Sequence, residues 1–372
     1  MWRFKRLLID KTYGTLPPMN ALKTLALAAL SVLPLTSCSS LATSYSLVPV
    51  METEASPYRG DSLDDSAVWH HPDNPNQSLI LTTLKASNVL PVKPTGIITY
   101  DLAGKQIQFF EDGTPNNIDT RHQFQFSDGT DQIIGTSHWY TGEIGLYRVN
   151  KETLLLNKVG AFQTGVEKLR GFCFGKANGL LHAFAVGSDG DIEQYAIPSL
   201  DETRLVDRWQ LDSESEGCVV DDETGMFYVA EENHGIWRVD LTQPDPKPIL
   251  LDKVRLFGPL KRGLEGLSLV RVDQTTYLVV SVQERSRFAI YNLTTETHMG
   301  NFQIGATQEI DPVSQTDGIH IEPLVTGEFA TGLVIVHDDQ NETPSGEQDG
   351  QNFKIVPLDS LVDFIRQLNF NR

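Results

Sequence analysis

A short phrase recurs three times in the second half of this chain: an acidic residue, a glycine, then an alternating apolar run. It reads Glu216-Gly217-Cys218-Val219-Val220, Glu265-Gly266-Leu267-Ser268-Leu269 and Asp317-Gly318-Ile319-His320-Ile321, with the acids 49 and 52 residues apart. A looser copy, Asp64-Asp65-Ser66-Ala67-Val68-Trp69, begins three periods earlier, its Asp65 lying 151 residues before Glu216. A period of about 50 residues points to a propeller or a solenoid, whose units bury their apolar faces only against one another.

Each period also carries two strand signatures. One is an apolar, β-branched run, at 79–83, 133–137, 182–187, 226–230, 277–282 and 332–337. The other alternates around an aromatic residue: Tyr100, Tyr147, Tyr195, Trp237 and Tyr291 recur at intervals of 47, 48, 42 and 54, and 352–356 supplies the sixth member. Adding the strand of the repeated phrase and one outer strand predicts an all-β fold, a six-bladed propeller with four-stranded blades around a central channel, spanning residues 43–369. A solenoid fits less well, because its repeats are usually shorter and need distinct caps. Segment 45–50 is expected to complete the last blade and close the ring, removing an exposed sheet edge. Residues 358–369 read as a short closing helix. Asp222–Gly225 and Asp101–Gly104 read as hairpin turns with no functional role.

Residues 1–42 are expected to be a leader. An apolar run at 25–33 follows Lys23 and ends at Leu35-Thr36-Ser37-Cys38, the pattern of a signal peptide with a lipobox-like cleavage site. The run is short for a membrane span. Cys38 would become the lipidated first residue of the mature protein, with ordinary cleavage near Ser40 as the alternative and Met19 as an alternative start. The expected location is therefore outside the cytoplasm: an outer-membrane lipoprotein, or else a periplasmic or secreted protein. The two other cysteines, Cys173 and Cys218, sit in apolar strand patterns and read as buried thiols. Export permits a disulfide, but sequence does not fix one.

The formal net charge is −19. Such a chain repels nucleic acid unless metal ions intervene. The innermost strand of a propeller blade lines the channel, so the acids of the phrase, Asp65, Glu216, Glu265 and Asp317, are expected to converge on one channel mouth. Carboxylates so close raise one another's pKa, and a hard cation relieves the repulsion. Oxygen donors in number, with no evident His/Cys cluster, select calcium over zinc. Further acids lie nearby in sequence: Asp64, Glu231, Glu232, Glu309, Asp311, Asp338 and Asp339.

At these residues the sequence resembles the β-propeller phytases, the calcium-dependent alkaline 3-phytase family. The match runs in order through Asp64-Asp65-Ser66-Ala67-Val68-Trp69 with His71-Pro72, Asn116-Asn117-Ile118-Asp119, the stretch 216–225 with Glu231-Glu232 and Gly235-Ile236-Trp237, Leu264-Glu265-Gly266-Leu267, Glu309-Ile310-Asp311, Thr316-Asp317-Gly318-Ile319, and 351–357. It covers roughly residues 50–365. The resemblance implies a phosphomonoesterase acting on phytate, myo-inositol hexakisphosphate, at a channel mouth where several calcium ions share carboxylates. It implies metal-ligand positions at Asp65, Glu216, Glu232, Glu265, Gln283, Asp311 and Asp317. Asp64 with the Asn117–Ile118 turn would belong to a further, structural calcium site. Glu216, Glu265, Asp317 and Lys85 would carry the chemistry, with Lys85 also holding substrate phosphate.

The sequence departs from the family in its phosphate-holding set. It has Ser137-His138 for Asn-Arg, Arg170-Gly171-Phe172 for Tyr-Gly-Phe, Ser188 for a lysine, and Gly263 for an aspartate. His138 and Arg170 are expected to be phosphate donors. Arg285 and Arg287 are substitutes without family warrant. No Gly-x-Ser-x-Gly elbow exists, so no protein nucleophile is expected. The expected partner is a small phosphate ester, calcium phytate, and the expected state is a monomer. Two alternatives remain at this level: a surface-anchored binding module with structural calcium, and a propeller hydrolase of other specificity such as a lactonase.

Overall fold

The structure, a computed structural model, describes residues 45–85, 94–122 and 132–370. The leader and lipobox reading falls outside these residues. Among them, no helix is long and apolar enough to cross a membrane.

Six antiparallel sheets form the blades of a propeller. Their inner strands are Leu63–Trp69, Pro115–Arg121, Leu169–Ala177, Ser215–Asp221, Leu264–Val272 and Ile319–Glu322, in blades one to six. The β-branched runs are the second strands and the aromatic-bearing runs the third, as the repeat predicts. Both faces of a blade pack on neighbouring blades, so the second strands are buried on both sides; Leu333–Asp338 is buried at every position. That is why these strands read as continuous apolar runs and not as alternating ones. The core consists mainly of packing between blades: Ala67, Leu81 and Ile97 of blade one meet Ile118, Ile134 and Tyr147 of blade two. In several blades the recurring aromatic gives its polar tip a carboxylate. The Tyr147 hydroxyl donates to Asp112 at 2.7 Å, the Tyr291 hydroxyl to Asp252 at 2.8 Å, and Trp237 Nε1 to Glu231 at 2.8 Å.

Two expectations need correction. The N-terminal segment does not act as one strand. Met51–Glu52 pairs with Asn352–Pro357 and completes blade six, closing the ring. Tyr45–Leu47 instead adds a parallel fifth strand to Thr297–Ile304 of blade five. Packing on the closing helix Leu358–Phe370 explains the difference: Tyr45 stacks on Phe364 at 3.9 Å, and Leu47 joins the same core cluster. Second, Cys173 and Cys218 are not free thiols. They lie on the inner strands of blades three and four and form a disulfide, with Cα atoms 5.8 Å apart.

The glycine of the repeated phrase has a packing cause. Inner strands meet edge-on around the channel, and each glycine lies against the next blade's acid. A Cβ on Gly217 would overlap the Glu265 carbonyl, and one on Gly171 the Glu216 carbonyl. At Gly266 it would come 2.9 Å from the Asp317 carbonyl, and at Gly318 2.8 Å from the Asp64 carbonyl. We expect Gly217→Ala to cost about 3 kcal/mol, since the obstacle is backbone and cannot rotate away. Urea unfolding measures it, and a cost within ~0.5 kcal/mol of wild type would refute the close-packed ring.

Candidate active site at the acidic channel mouth

The inner strands all begin at the same end of the channel, so the acids that open them converge there. A cavity of about 310 Å³ at this mouth is lined by Asp61, Asp64, Glu216, Glu232, Glu265, Asp317 and Asp339, with Lys85 and Arg170 as its cations. Seven carboxylates thus face two cations. Trp139, Asn116, Gln283 and Gln315 complete the wall.

Lys85 follows the second strand of blade one and reaches across the mouth. Its ammonium pairs with Asp64, with Asp61 at 3.1 Å and with Asp317 at 3.4 Å. Burial works against that charge, but Asp64, Asp317 and Asp61 outweigh burial and hold the Lys85 pKa well above its usual value. Arg170 lies 2.8 Å from Glu214 and 3.4 Å from Glu216, with its guanidinium 4.5 Å from the centre of the Trp139 ring. Asn116 donates to Asp64 at 2.9 Å and to Glu216 at 2.8 Å, tying blades one and four together across the channel. Gln283 donates to Asp317.

The carboxylates are strained by their own company. Burial raises Asp64 well above its usual value, with Glu216 and Asp317 adding to the rise against Lys85. Glu216 is raised by burial despite Arg170 and Lys85. Glu232 is pushed up to about 7 by burial and by Glu214. Glu265 rises furthest from compensation: burial leads, followed by the charges of Glu216, Asp317, Glu232 and Asp64. A fully buried carboxylate whose main neighbours are all anions fits a cation, and an all-oxygen donor set fits a hard one.

The structure redistributes several expected site residues. Asp64, not Asp65, faces the mouth. The inner strand of blade one has a bulge between Leu63 and Ser66, and the two aspartates turn to different neighbours. Asp65 accepts from the Ile118 amide at 3.2 Å and from the Ser66 amide at 2.8 Å. Asn117 lies between the two groups, one amide atom 3.3 Å from Asp65 and the other 3.1 Å from Glu216. Asp65, Asn117 and Ile118 therefore form one group further down the channel, without Asp64. His138 points away from the mouth, since its neighbour Ser137 takes the inward position and donates to the Arg170 carbonyl. The His138 ring is buried against the Tyr147 hydroxyl at 3.0 Å, and burial lowers its pKa, so the structure does not bring it to the mouth.

Asp311 is also not at the mouth: it pairs with the buried Lys354 and accepts from the Glu342 amide at 2.9 Å. Arg285 and Arg287 line a separate depression beside Lys261. Gly263 sits in a left-handed turn, φ 75°, before the inner strand of blade five, a conformation that favours glycine over aspartate. Sequence reasoning missed Asn116, Trp139, Asp61 and Gln315. For Asn116 a signal existed in the Asn116-Asn117 pair.

A phytase family profile matches residues 17–369. The chain belongs to the phytase family. It is 28% identical over 334 residues to a 3-phytase of Bacillus subtilis (strain 168), covering 85% of each chain. A solved structure of a Lactobacillus plantarum protein shares the fold, with a TM-score of 0.50, 10% identity, and 80% of this chain and 87% of that one covered. A larger cavity of about 570 Å³ lies at the other end of the channel.

Proposed function

We propose that this protein is a calcium-dependent phosphoric monoester hydrolase that releases phosphate from phytate at the acidic mouth. The observation that carries the reading is the imbalance of seven carboxylates against two cations in one cavity. Such a wall repels a polyphosphate unless divalent cations bind first. Asp64, Glu216, Glu232, Glu265, Gln283 and Asp317 are the residues that would hold calcium. When bound, calcium neutralises phosphate charge and lowers the pKa of water. Lys85 and Arg170, the two cations of the wall, are the residues that would hold phosphate oxygens. Arg170 is well suited, because its guanidinium packs 4.5 Å from the centre of the Trp139 ring and an arginine can clamp a phosphate bidentately. In-line phosphoryl transfer needs charge stabilisation more than covalent help, which agrees with the absence of a nucleophilic motif. Family membership favours this reading over a binding module or a lactonase.

The Cys173–Cys218 disulfide supports an oxidising compartment, and with it export. Lipid attachment at Cys38 and a monomeric state belong to the same proposal. The test is phosphate release from calcium phytate by the purified protein. Excess EDTA should reduce it to background, and restored calcium should recover it. Release that persists in EDTA would exclude the metal role, and no release under excess calcium would exclude the enzyme reading.

A further inference from the structure

At the opposite end of the channel the inner strands finish, and three of them bring two imidazoles and a carboxylate together. His70 follows the inner strand of blade one, His122 follows that of blade two, and Glu322 ends that of blade six. His70 lies six residues along the chain from Asp64, roughly 20 Å along the channel. We propose that His70, His122 and Glu322 bind a divalent transition-metal ion, with zinc the best fit. The site is distinct from the calcium-type mouth.

Four observations carry this. The ligand atoms of the three side chains lie within 4.8 Å of one another. His70 Nε2 is 3.1 Å from Glu322 Oε1, and His122 Nε2 is 3.6 Å from Glu322 Oε2. Donors bound at about 2.0–2.1 Å around a tetrahedral ion sit roughly 3.3 Å apart, the mean of these two. Both Nε2 atoms are buried and make no hydrogen bond, although the rings stack at 3.8 Å and face one carboxylate.

The tautomer of His122 is fixed from behind. Gln132 Nε2 donates to the His70 carbonyl at 2.9 Å, so its Oε1 is the acceptor that faces His122 Nδ1 at 3.0 Å. In the neutral ring His122 Nδ1 therefore carries the proton, and the Nε2 lone pair faces a carboxylate oxygen. Two lone pairs face to face repel; a proton or a metal cation between them removes the conflict. This is the outer-shell arrangement that orients a metal-binding imidazole. His320 supports the carboxylate from the side, its Nε2 3.2 Å from Glu322 Oε2. The nearby Arg121 charge is taken up by Asp119 at 2.9 Å and Asp222 at 3.2 Å. Two imidazoles and one carboxylate select a zinc-class ion over calcium, and the fourth position opens on the 570 Å³ cavity.

The experiment titrates zinc into the full chain, metal-stripped and then saturated with calcium, by calorimetry, with cobalt absorption reporting nitrogen ligation. One equivalent is expected. His122→Gln and Glu322→Gln should weaken it about 100-fold, and Gln132→Leu, which keeps all three ligands, about 10-fold. Glu265→Gln at the mouth should leave it unchanged. Failure of zinc to bind overturns the proposal. So does binding insensitive to both His122→Gln and Gln132→Leu, or weakened equally by Glu265→Gln.

Discussion

Glu216→Gln is expected to lower kcat/KM for phosphate release from calcium phytate by about 10³-fold, the scale of losing a principal charge-stabilising element. Glu216 is the carboxylate on which the mouth's cross-channel contacts converge. Asn116 donates to it at 2.8 Å, Arg170 lies 3.4 Å away, and its neighbours include Lys85 and Asp317. Glutamine keeps the shape and one accepting oxygen for Asn116, but gives up the acceptor facing Arg170 and removes the charge that would hold calcium. The fold should survive, because burial already disfavours that charge in metal-free protein. The decisive comparison is between activity and stability. Initial rates should collapse, the calcium dependence should shift to higher concentration, and urea unfolding in EDTA should show no loss. A variant with a rate within about 10-fold of wild type would remove Glu216 from the metal set.

Lys354→Met is expected to destabilise the fold by about 3–5 kcal/mol, the cost of breaking a buried ion pair by removing one partner. Lys354 is fully buried on the third strand of blade six. Its ammonium contacts Glu52, Asp311, Asn341 at 2.8 Å and Asp338 at 3.3 Å. Glu52 belongs to the N-terminal strand that completes this blade, so the lysine also pins the ring closure. Methionine fills much of the volume but leaves three carboxylates around a missing cation. Adding Glu52→Gln should recover part of the loss, since it removes one of the stranded charges. Urea unfolding of the single and double variants measures both effects. A loss under about 1 kcal/mol would mean that water or a solvent cation replaces the ammonium freely.

The sequence by itself determined the repeat, and through it the architecture. A period of about 50 residues, two legible strands per period and an acid at each channel-lining start leave little besides a six-bladed ring. Membership of the mouth was readable for Glu216, Glu265 and Asp317 from the repeat, because equivalent positions in a repeat occupy equivalent places around its axis, and for Glu232, Gln283, Lys85 and Arg170 only through the resemblance to the phytases.

What lay beyond the sequence depends on directions and on neighbours distant along the chain. Asp64 and Asp65 are adjacent, and only the bulge beside them decides which one faces the mouth. His138 and Ser137 alternate across one strand, and register sends the polar serine inward. Asp311 finds its cation 43 residues later, and His70, His122 and Glu322 come from three blades that meet only because the ring closes. The glycine after each acid belongs to both accounts. Its recurrence announced the fold, but its reason is visible only in three dimensions: each glycine admits the backbone of the next blade's acid, so the strands that carry the charges can stand close enough to share them.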